Sequence, residues 1–398
     1  MLRNCREALV EAPSTKQLTA SIVVPARNEE ELLPSCLRAL AEQTTPTGSP
    51  LSHDSYEIIL LINNTTDNSA RVAQSFRRLY PSLQLHILER NFRQSHAHIG
   101  YVRRLLMDEA CRRLELSGSG NGIILSTDSD TQVASNWIVQ NLAEFASGAD
   151  AVAGRIVLPE YEQQTLDEAT RAIHRYDHLY RRLVSWIEHR FDPEEHDPWP
   201  RHHQHFGASI GVRVRTYKSV GRLPPRRYLE DVAFYTALVR NDVRLRHSNR
   251  VKVFTSARLC GRAQAGLSAE LRSWKKRGKN GLKMPVESRD FLEHLFRTRR
   301  ALRTLWKDQK FSNDLFLPRV RDLSADSGIP ISNLIIGIRS SRCFGELLEN
   351  LRFYHCCRTV WPDWIRLKPL RDVVDQMLIE FSSLAKESRQ TSTLHLSK

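Results

Sequence analysis

The sequence predicts an α/β protein built on a mostly parallel sheet with helices on both faces, followed by a helical C-terminal region. Three observations predict it. Short apolar, β-branched runs alternate with stretches of helical apolar spacing, the connections between them are short and polar, and the chain beyond Lys275 is largely amphipathic helix. Each crossover helix has its own apolar stripe to bury, so such alternation covers a sheet on both sides.

The elements follow in order. Ser21 to Pro25 reads as a strand, the polar Arg27 to Glu30 as a loop, and Leu32, Leu33, Cys36, Leu37 and Leu40 have helical spacing. Glu57 to Ile62 is a second strand, Asn63 to Asn68 a polar turn, and Ala70 to Leu79 a second helix. Leu83 to Leu88 is a third strand, and His96 to Leu114 a long helix that leaves through Gly118 to Gly122. Ile123 to Thr127 is an apolar strand ending in carboxylates. Beyond Gly154 a charged helical stretch, Glu162 to Arg190, precedes a Pro- and His-rich loop from Phe191 to His205, which reads as a lid or acceptor-side insertion. The expected division is a catalytic domain over residues 1–274, with an insertion at about 160–205, and a helical region over 275–398 with a frayed end from Lys386.

In an open α/β sheet, ligands bind beyond the carboxyl ends of the strands. Arg27 to Glu29, Asn63 to Asp67 and Asp128 to Asp130 each follow a predicted strand, so they are expected to converge on one cleft.

Composition sets the outer bounds. The chain has 59 Lys plus Arg against 45 Asp plus Glu, a net charge of +14, which favours phosphates, anionic headgroups or nucleic acid as partners. Seven cysteines form no CxxC pair, and a reduced, cytoplasmic setting is expected. No run of about 18 apolar residues is present, so no transmembrane segment is predicted, although the basic C-terminal helices could rest on a membrane surface. RNA-recognition, zinc-finger and helix-turn-helix signatures are absent, and no nucleic acid is expected as a partner.

The chemistry sits in Thr127, Asp128, Ser129, Asp130 and Thr131. Two carboxylates one residue apart at a strand end can hold Mg²⁺ or Mn²⁺, which in turn binds diphosphate oxygens and assists departure of a leaving group. Taken alone, the triplet also fits a solvated Asp-rich turn. Glu230 and Asp231 open a helix after an Arg- and Pro-rich loop; helix-dipole preference accounts for such a pair without function, but Asp231 is the candidate general base, with Glu230 beside it.

Taken together, IVVPARNEE over Ile22 to Glu30, NNTTDNS over Asn63 to Ser69, Asp128 to Thr131 and Leu229 to Val232 resemble, in order and spacing, the motifs of family 2 glycosyltransferases of the GT-A fold. The resemblance covers roughly Ser21 to Trp274. It implies a Rossmann-like nucleotide-diphospho-sugar fold and an inverting transfer of a sugar from a nucleotide donor, a UDP- or GDP-sugar, to an unidentified acceptor. By resemblance, Pro25, Ala26, Asn28 and Glu29 would line the nucleotide pocket, Asp128 and Asp130 would hold the metal, and Asp231 would act as base. Asn63 and Asn64 stand where the family often has an Asp that contacts base or ribose, which bears on donor choice; Asp67 lies in the same turn. Arg258, Arg262 and Trp274 fall where the family can carry basic and aromatic residues near diphosphate and acceptor, and arginine suits phosphate through its bidentate fork. His205 leads into the acceptor-side stretch Phe206 to Ser209, while His196, His202 and His203 match no common zinc spacing.

Other readings are a nucleotidyltransferase, which the glycine-free IVVPARNEE disfavours, and a basic nucleotide- or nucleic-acid-binding protein with a degenerate site, which the four carboxylates Asp128, Asp130, Glu230 and Asp231 disfavour.

Overall fold

The computed structural model describes residues 8–15, 17–118, 120–259, 266–308 and 313–395. The first elements are β1 (Ala20–Ala26), α1 (Leu33–Ala41), β2 (Tyr56–Asn63), α2 (Ser69–Leu79), β3 (Leu85–Arg90), α3 (Ile99–Leu116) and β4 (Ile123–Ser126). Then come β5 (Gln132–Val133), α4 (Trp137–Ala146), β6 (Ala151–Val157), α5 (Glu160–Gln164), α6 (Glu168–Phe191), β7 (Ile210–Arg213), α7 (Val214–Ser219), α8 (Glu230–Arg240), β8 (Leu245–Phe254) and α9 (Leu267–Arg277). The chain continues through β9 (Pro285–Glu287), α10 (Arg289–Lys307), α11 (Asn313–Ser327), α12 (Ile331–Ser340), α13 (Phe344–Asn350), α14 (Phe353–Val360), α15 (Asp363–Arg366) and β10 (Leu367–Pro369). It closes on α16 (Leu370–His395), whose backbone stays helical past Lys386, where fraying was expected.

Contacts divide the chain into two units, Met1–Gln163 with Gln204–Ala269, and Gln164–His203 with Glu270–Lys398. The first carries the sheet, in the order β3-β2-β1-β4-β7-β6-β8-β5. β1 pairs parallel with β2 and β4, β2 with β3, and β6 with β8, while β7 runs antiparallel between β4 and β6 and β5 antiparallel to β8. Period-two alternation splits the strands between two cores. Ile22, Val24, Ile58, Leu60 and Ile62 face α1, α2 and α4 through Leu37, Phe76 and Trp137. Val23, Ile59, Leu61 and Ile124 face α3 and α8 through Val102, Leu106, Phe234 and Leu238. Both sheet faces are therefore covered, as the near-continuous apolar runs require.

The second unit is helical. Leu183, Ile187 and Phe191 of α6 pack with Leu292 and Phe296 of α10 and with Leu370, Val373 and Met377 of α16. α10 to α14 share a further core that includes Phe291, Leu302, Val320, Leu334 and Phe353. Residues 164–203, read from sequence as an insertion of the catalytic domain, thus pack with helices from the C-terminal part of the chain. No helix among the described residues is long and apolar enough to cross a membrane.

Candidate active site

The loops after β1 and β2 are zipped together by short side chains. Asn28, at φ +50°, accepts the Thr66 N–H on its Oδ1 at 2.8 Å, and its own N–H donates to Thr65 Oγ1 at 3.2 Å. The Glu29 N–H donates to Ser69 Oγ at 2.8 Å and the Glu30 N–H to Asp67 Oδ2 at 3.0 Å. Asp67 Oδ1 in turn accepts from the N–H and hydroxyl of Ser69, and although burial alone would raise its pKa, these bonds hold it below the usual carboxylate range. Asn64, at φ +48°, ties the end of β2 to the chain after β3 by donating to Phe92 O at 2.8 Å and accepting the Phe92 N–H at 3.1 Å. Asn63 is buried beside it and donates to Asn64 Oδ1 at 3.4 Å. Among the residues expected at a nucleotide pocket, Asn64 and Asp67 thus spend their polar atoms on shaping the loops. Pro25 and Ala26 form the buried end of β1, in register with Leu61 and Ile62.

The centre is organised by Arg103 of α3, which is 3% exposed. Its guanidinium donates to Ser126 Oγ at 2.6 Å, Gly207 O at 3.0 Å, Asp128 Oδ1 at 2.7 Å and Glu230 Oε1 at 3.2 Å. A single buried cation therefore joins the end of β4, the chain before β7 and the start of α8. Gly207 is required at this approach, since a Cβ there would stand 2.7 Å from the guanidinium carbon. The Gly207 N–H donates to Asp231 Oδ2 at 3.0 Å, and Asp231 Oδ1 accepts the Val232 N–H at 2.8 Å. Leu229, at φ +55°, turns the chain so that Glu230 goes inward to Arg103 and Asp231 stays half-buried.

A second cation, Arg258, reaches Asp130 Oδ2 at 2.5 Å and both oxygens of Glu29 at 3.1 and 3.3 Å. Cys36 links the two clusters. Its Sγ approaches Asp128 O at 3.5 Å, and its thiol pKa is pushed up, by burial first and then by Asp130, Asp128 and Glu29. Five carboxylates, Glu29, Asp128, Asp130, Glu230 and Asp231, thus share the guanidinium groups of Arg103 and Arg258. The imbalance shows in their titration. Burial, with Asp130 and Asp231 adding, raises the Asp128 pKa despite Arg103, and burial with Asp231 raises that of Glu230. Burial alone would lower Arg103, yet Asp128 and Glu230 hold it above its ordinary range.

Asp128 and Asp130 remain 33% and 26% exposed at their side chains, so solutes can reach them. Among the described residues no group of three or more His, Cys, Asp or Glu side chains is arranged to hold a metal ion. His205 is half-buried and stacks on Tyr235 of α8 at 3.8 Å between ring centroids. His196, His202 and His203 belong to the second unit, as does Trp274, which is buried with its ring 5.9 Å from that of His174. Arg262 lies outside the described residues. Arg103 was not singled out from sequence, and no local pattern distinguishes it from Arg104, Arg112 or Arg113 on the same helix.

Residues 21–213 match the sequence model of the family described as Glycosyl transferase family 2. The glycosyltransferase AglE of Haloferax volcanii is 23% identical over 158 residues, which span 39% of this chain and 43% of that protein. Among solved structures, the mannosyltransferase PcManGT of Pyrobaculum calidifontis, in complex with GDP-Man and Mn²⁺, aligns with a TM-score of 0.43 at 14% identity over 89% of this chain and 90% of that one. S. aureus TarS 1–349 in complex with UDP-GlcNAc aligns with a TM-score of 0.44 at 12% identity, over 86% of this chain and 92% of that one.

Proposed function

We propose that this chain, whose residues 21–213 match the model of glycosyl transferase family 2, transfers a sugar from a nucleoside diphosphate donor, a UDP- or GDP-sugar, to an acceptor hydroxyl with inversion at the anomeric carbon. The observation that carries the reading is the convergence of Asp128, Glu230 and Asp231, from two distant stretches of sequence, around the buried Arg103, with Asp130 beside Asp128 held by Arg258.

The donor set fits a hard divalent cation. Asp128 and Asp130 offer carboxylate oxygens, the centre carries more carboxylates than guanidinium groups, and Mg²⁺ is usually held by one or two carboxylates together with phosphates and water. Mg²⁺ or Mn²⁺ held there would supply neutralisation of the charge that develops on the departing diphosphate. Arg258, which bridges Glu29 and Asp130 here, has the planar fork that phosphate oxygens accept, and moving it onto the diphosphate would free Asp130.

Asp231 is the base. It is half-buried and fixed by the N–H groups of Gly207 and Val232, so its carboxylate is aimed before the acceptor arrives. Glu230 is engaged with Arg103 and acts in positioning rather than proton transfer. His205, stacked on Tyr235 beside Gly207, would border the acceptor, and Asn28 and Glu29 the donor. A reducing cytoplasmic setting is the proposed location, supported by the free thiols of Cys36, Cys111, Cys343, Cys356 and Cys357.

Release of nucleoside diphosphate from a panel of UDP-, GDP-, ADP-, CDP- and dTDP-sugars, with Mn²⁺ or with a chelator, tests the reading. Metal-dependent release from one nucleotide class, abolished by Asp231→Asn, is expected. Release that is indifferent to metal, or unchanged in that variant, would refute the assigned roles.

A further inference from the structure

Around the start of α3, three loops bring exposed arginines together. Arg27 follows β1, Arg93 follows β3, and Arg226 with Arg227 precedes α8. The loops are in contact. Arg27 Nη1 donates to Ala97 O at 3.5 Å, and the N–H groups of His96 and Ala97 donate to Arg93 O at 2.8 and 2.9 Å. Arg226 lies so close to the first turn of α3 that a Cβ on Gly100 would fall 1.8 Å from its carbonyl oxygen. His98, between them, has its pKa lowered by burial first and then by Arg227.

None of Arg27, Arg93, Arg226 and Arg227 has a carboxylate partner among the described residues, whereas Arg103, Arg104, Arg112 and Arg113 of the adjoining helix are all paired. Several carboxylates of neighbouring elements are already engaged. Asn68 donates to Glu30, Arg103 to Asp128 and Glu230, and the Gly207 and Val232 N–H groups to Asp231. Like charges gathered without counter-charge repel one another, so the patch is stabilised by an anion brought from outside. Its position identifies that anion. Arg227 stands four residues before Asp231, and the two residues between it and Glu230, Tyr228 and Leu229, are 42% and 51% exposed.

We propose that the acceptor carries a phosphate group, which Arg226 and Arg227, with Arg27 and Arg93, hold so that its hydroxyl meets Asp231. The proposal rests on the assignment of Asp231 as base, and it adds the chemical class of the acceptor. The site would then be divided by charge, with a carboxylate-rich centre for a cation and an arginine rim for a phosphate. Guanidinium groups recognise phosphate through paired N–H donors, and four of them on three loops discriminate against an uncharged sugar or alcohol.

The test uses the full chain, with saturating UDP or GDP and Mg²⁺ to fill the donor site, titrated with glycerol 3-phosphate and, in parallel, with glycerol. Phosphatidylcholine vesicles with and without phosphatidic acid form a second arm. Wild type is expected to bind the phosphate-bearing probe and not its uncharged counterpart, and Arg226→Gln/Arg227→Gln to bind it at least tenfold more weakly while retaining nucleotide binding. Preference for phosphatidic acid vesicles would assign the phosphate to a lipid, and preference for glycerol 3-phosphate to a soluble acceptor. Absence of phosphate-dependent binding, or equal binding by the double variant, would overturn the proposal. Should no nucleotide bind, the donor reading fails separately, and the same titration without nucleotide still decides whether the arginines take phosphate.

Discussion

The two ends of α3 each bury an arginine against carboxylates from distant stretches of the chain, and they are arranged to opposite effect. Arg113, near the C-terminal end, is paired with Glu57 at 2.6 Å, and His86 also contacts that carboxylate at 3.2 Å. Burial alone would raise the Glu57 pKa, but hydrogen bonds from His86 and Arg113 hold it below the ordinary range. Arg103, ten residues earlier and about 15 Å away along the helix axis, serves Asp128 and Glu230 together, and both carboxylates keep raised pKa values. One end is balanced and closed. The other carries more negative charge than its cation neutralises and stays partly open at Asp128. A shared helix and a shared residue type thus give a structural brace in one place and a poised centre in the other, and the ratio of carboxylates to guanidinium groups makes the difference.

The largest effect is expected from Asp231→Asn, which removes the proposed base but keeps an oxygen to accept from Gly207. Turnover should fall by roughly 10²–10⁴-fold with donor binding intact, measured as product formation against nucleotide affinity. A parallel loss of both would place Asp231 in donor binding instead.

Next come the two arginines. Arg113→Met leaves the Glu57 carboxylate buried with its cation gone and should cost about 3–5 kcal/mol of stability, with metal-dependent nucleotide binding of the folded protein unchanged. Arg103→Met should reduce that binding at least tenfold, because Asp128 and Glu230 then have every reason to take up protons. Chemical denaturation and nucleotide titration of both variants would break the comparison if the two responded alike.

The pH dependence sharpens it further. Glu57 has a depressed folded-state pKa, so its contribution is fully present above the unfolded carboxylate range and is lost as pH falls through the folded value. Glu57→Gln should therefore flatten the acid side of the stability profile. Glu230 has the opposite sign, because its raised pKa means that the ionised form opposes folding at neutral pH. Glu230→Gln should leave the fold unchanged or add about 0.5–2 kcal/mol while lowering turnover, as seen by thermal unfolding beside the transfer assay.

How much of this was legible in the sequence follows from the range of the interactions. β1 to β4 and α1 to α3 are local patterns, with Ile22 to Val24 and Ile58 to Ile62 buried on both faces, and the structure has strands and helices there to within a few residues. The mixed half of the sheet, from β7 to β5, was opaque. β7 has only four residues, β6 includes Gly154 and Arg155 at a register shift, and β8 mixes Arg246, His247, Asn249 and Lys252 into an apolar frame. None of these has clean period-two alternation, and each is stabilised by partners far away in sequence. The carboxylates Asp128, Asp130, Glu230 and Asp231 were visible as motifs because they follow strands or open a helix. Arg103 was not, since its partners lie 23 to 127 residues away. The polar turn at Asn63 to Asp67 was visible as a turn, but its inward hydrogen bonds to the neighbouring loops were not.

The central claim is that Asp128 and Asp130 make a metal-dependent donor site and Asp231 a separate base. Thermal unfolding with UDP, GDP, ADP, CDP and dTDP sugars, with Mn²⁺ or Mg²⁺ and then a chelator, tests it on wild type, Asp130→Ala and Asp231→Asn. A donor at 100 times its Kd should add about 2.7 kcal/mol of stability. The expected result is stabilisation by one nucleotide class that needs the metal, disappears in Asp130→Ala and persists in Asp231→Asn. Stabilisation by none of them, or equal loss in both variants, would contradict the account.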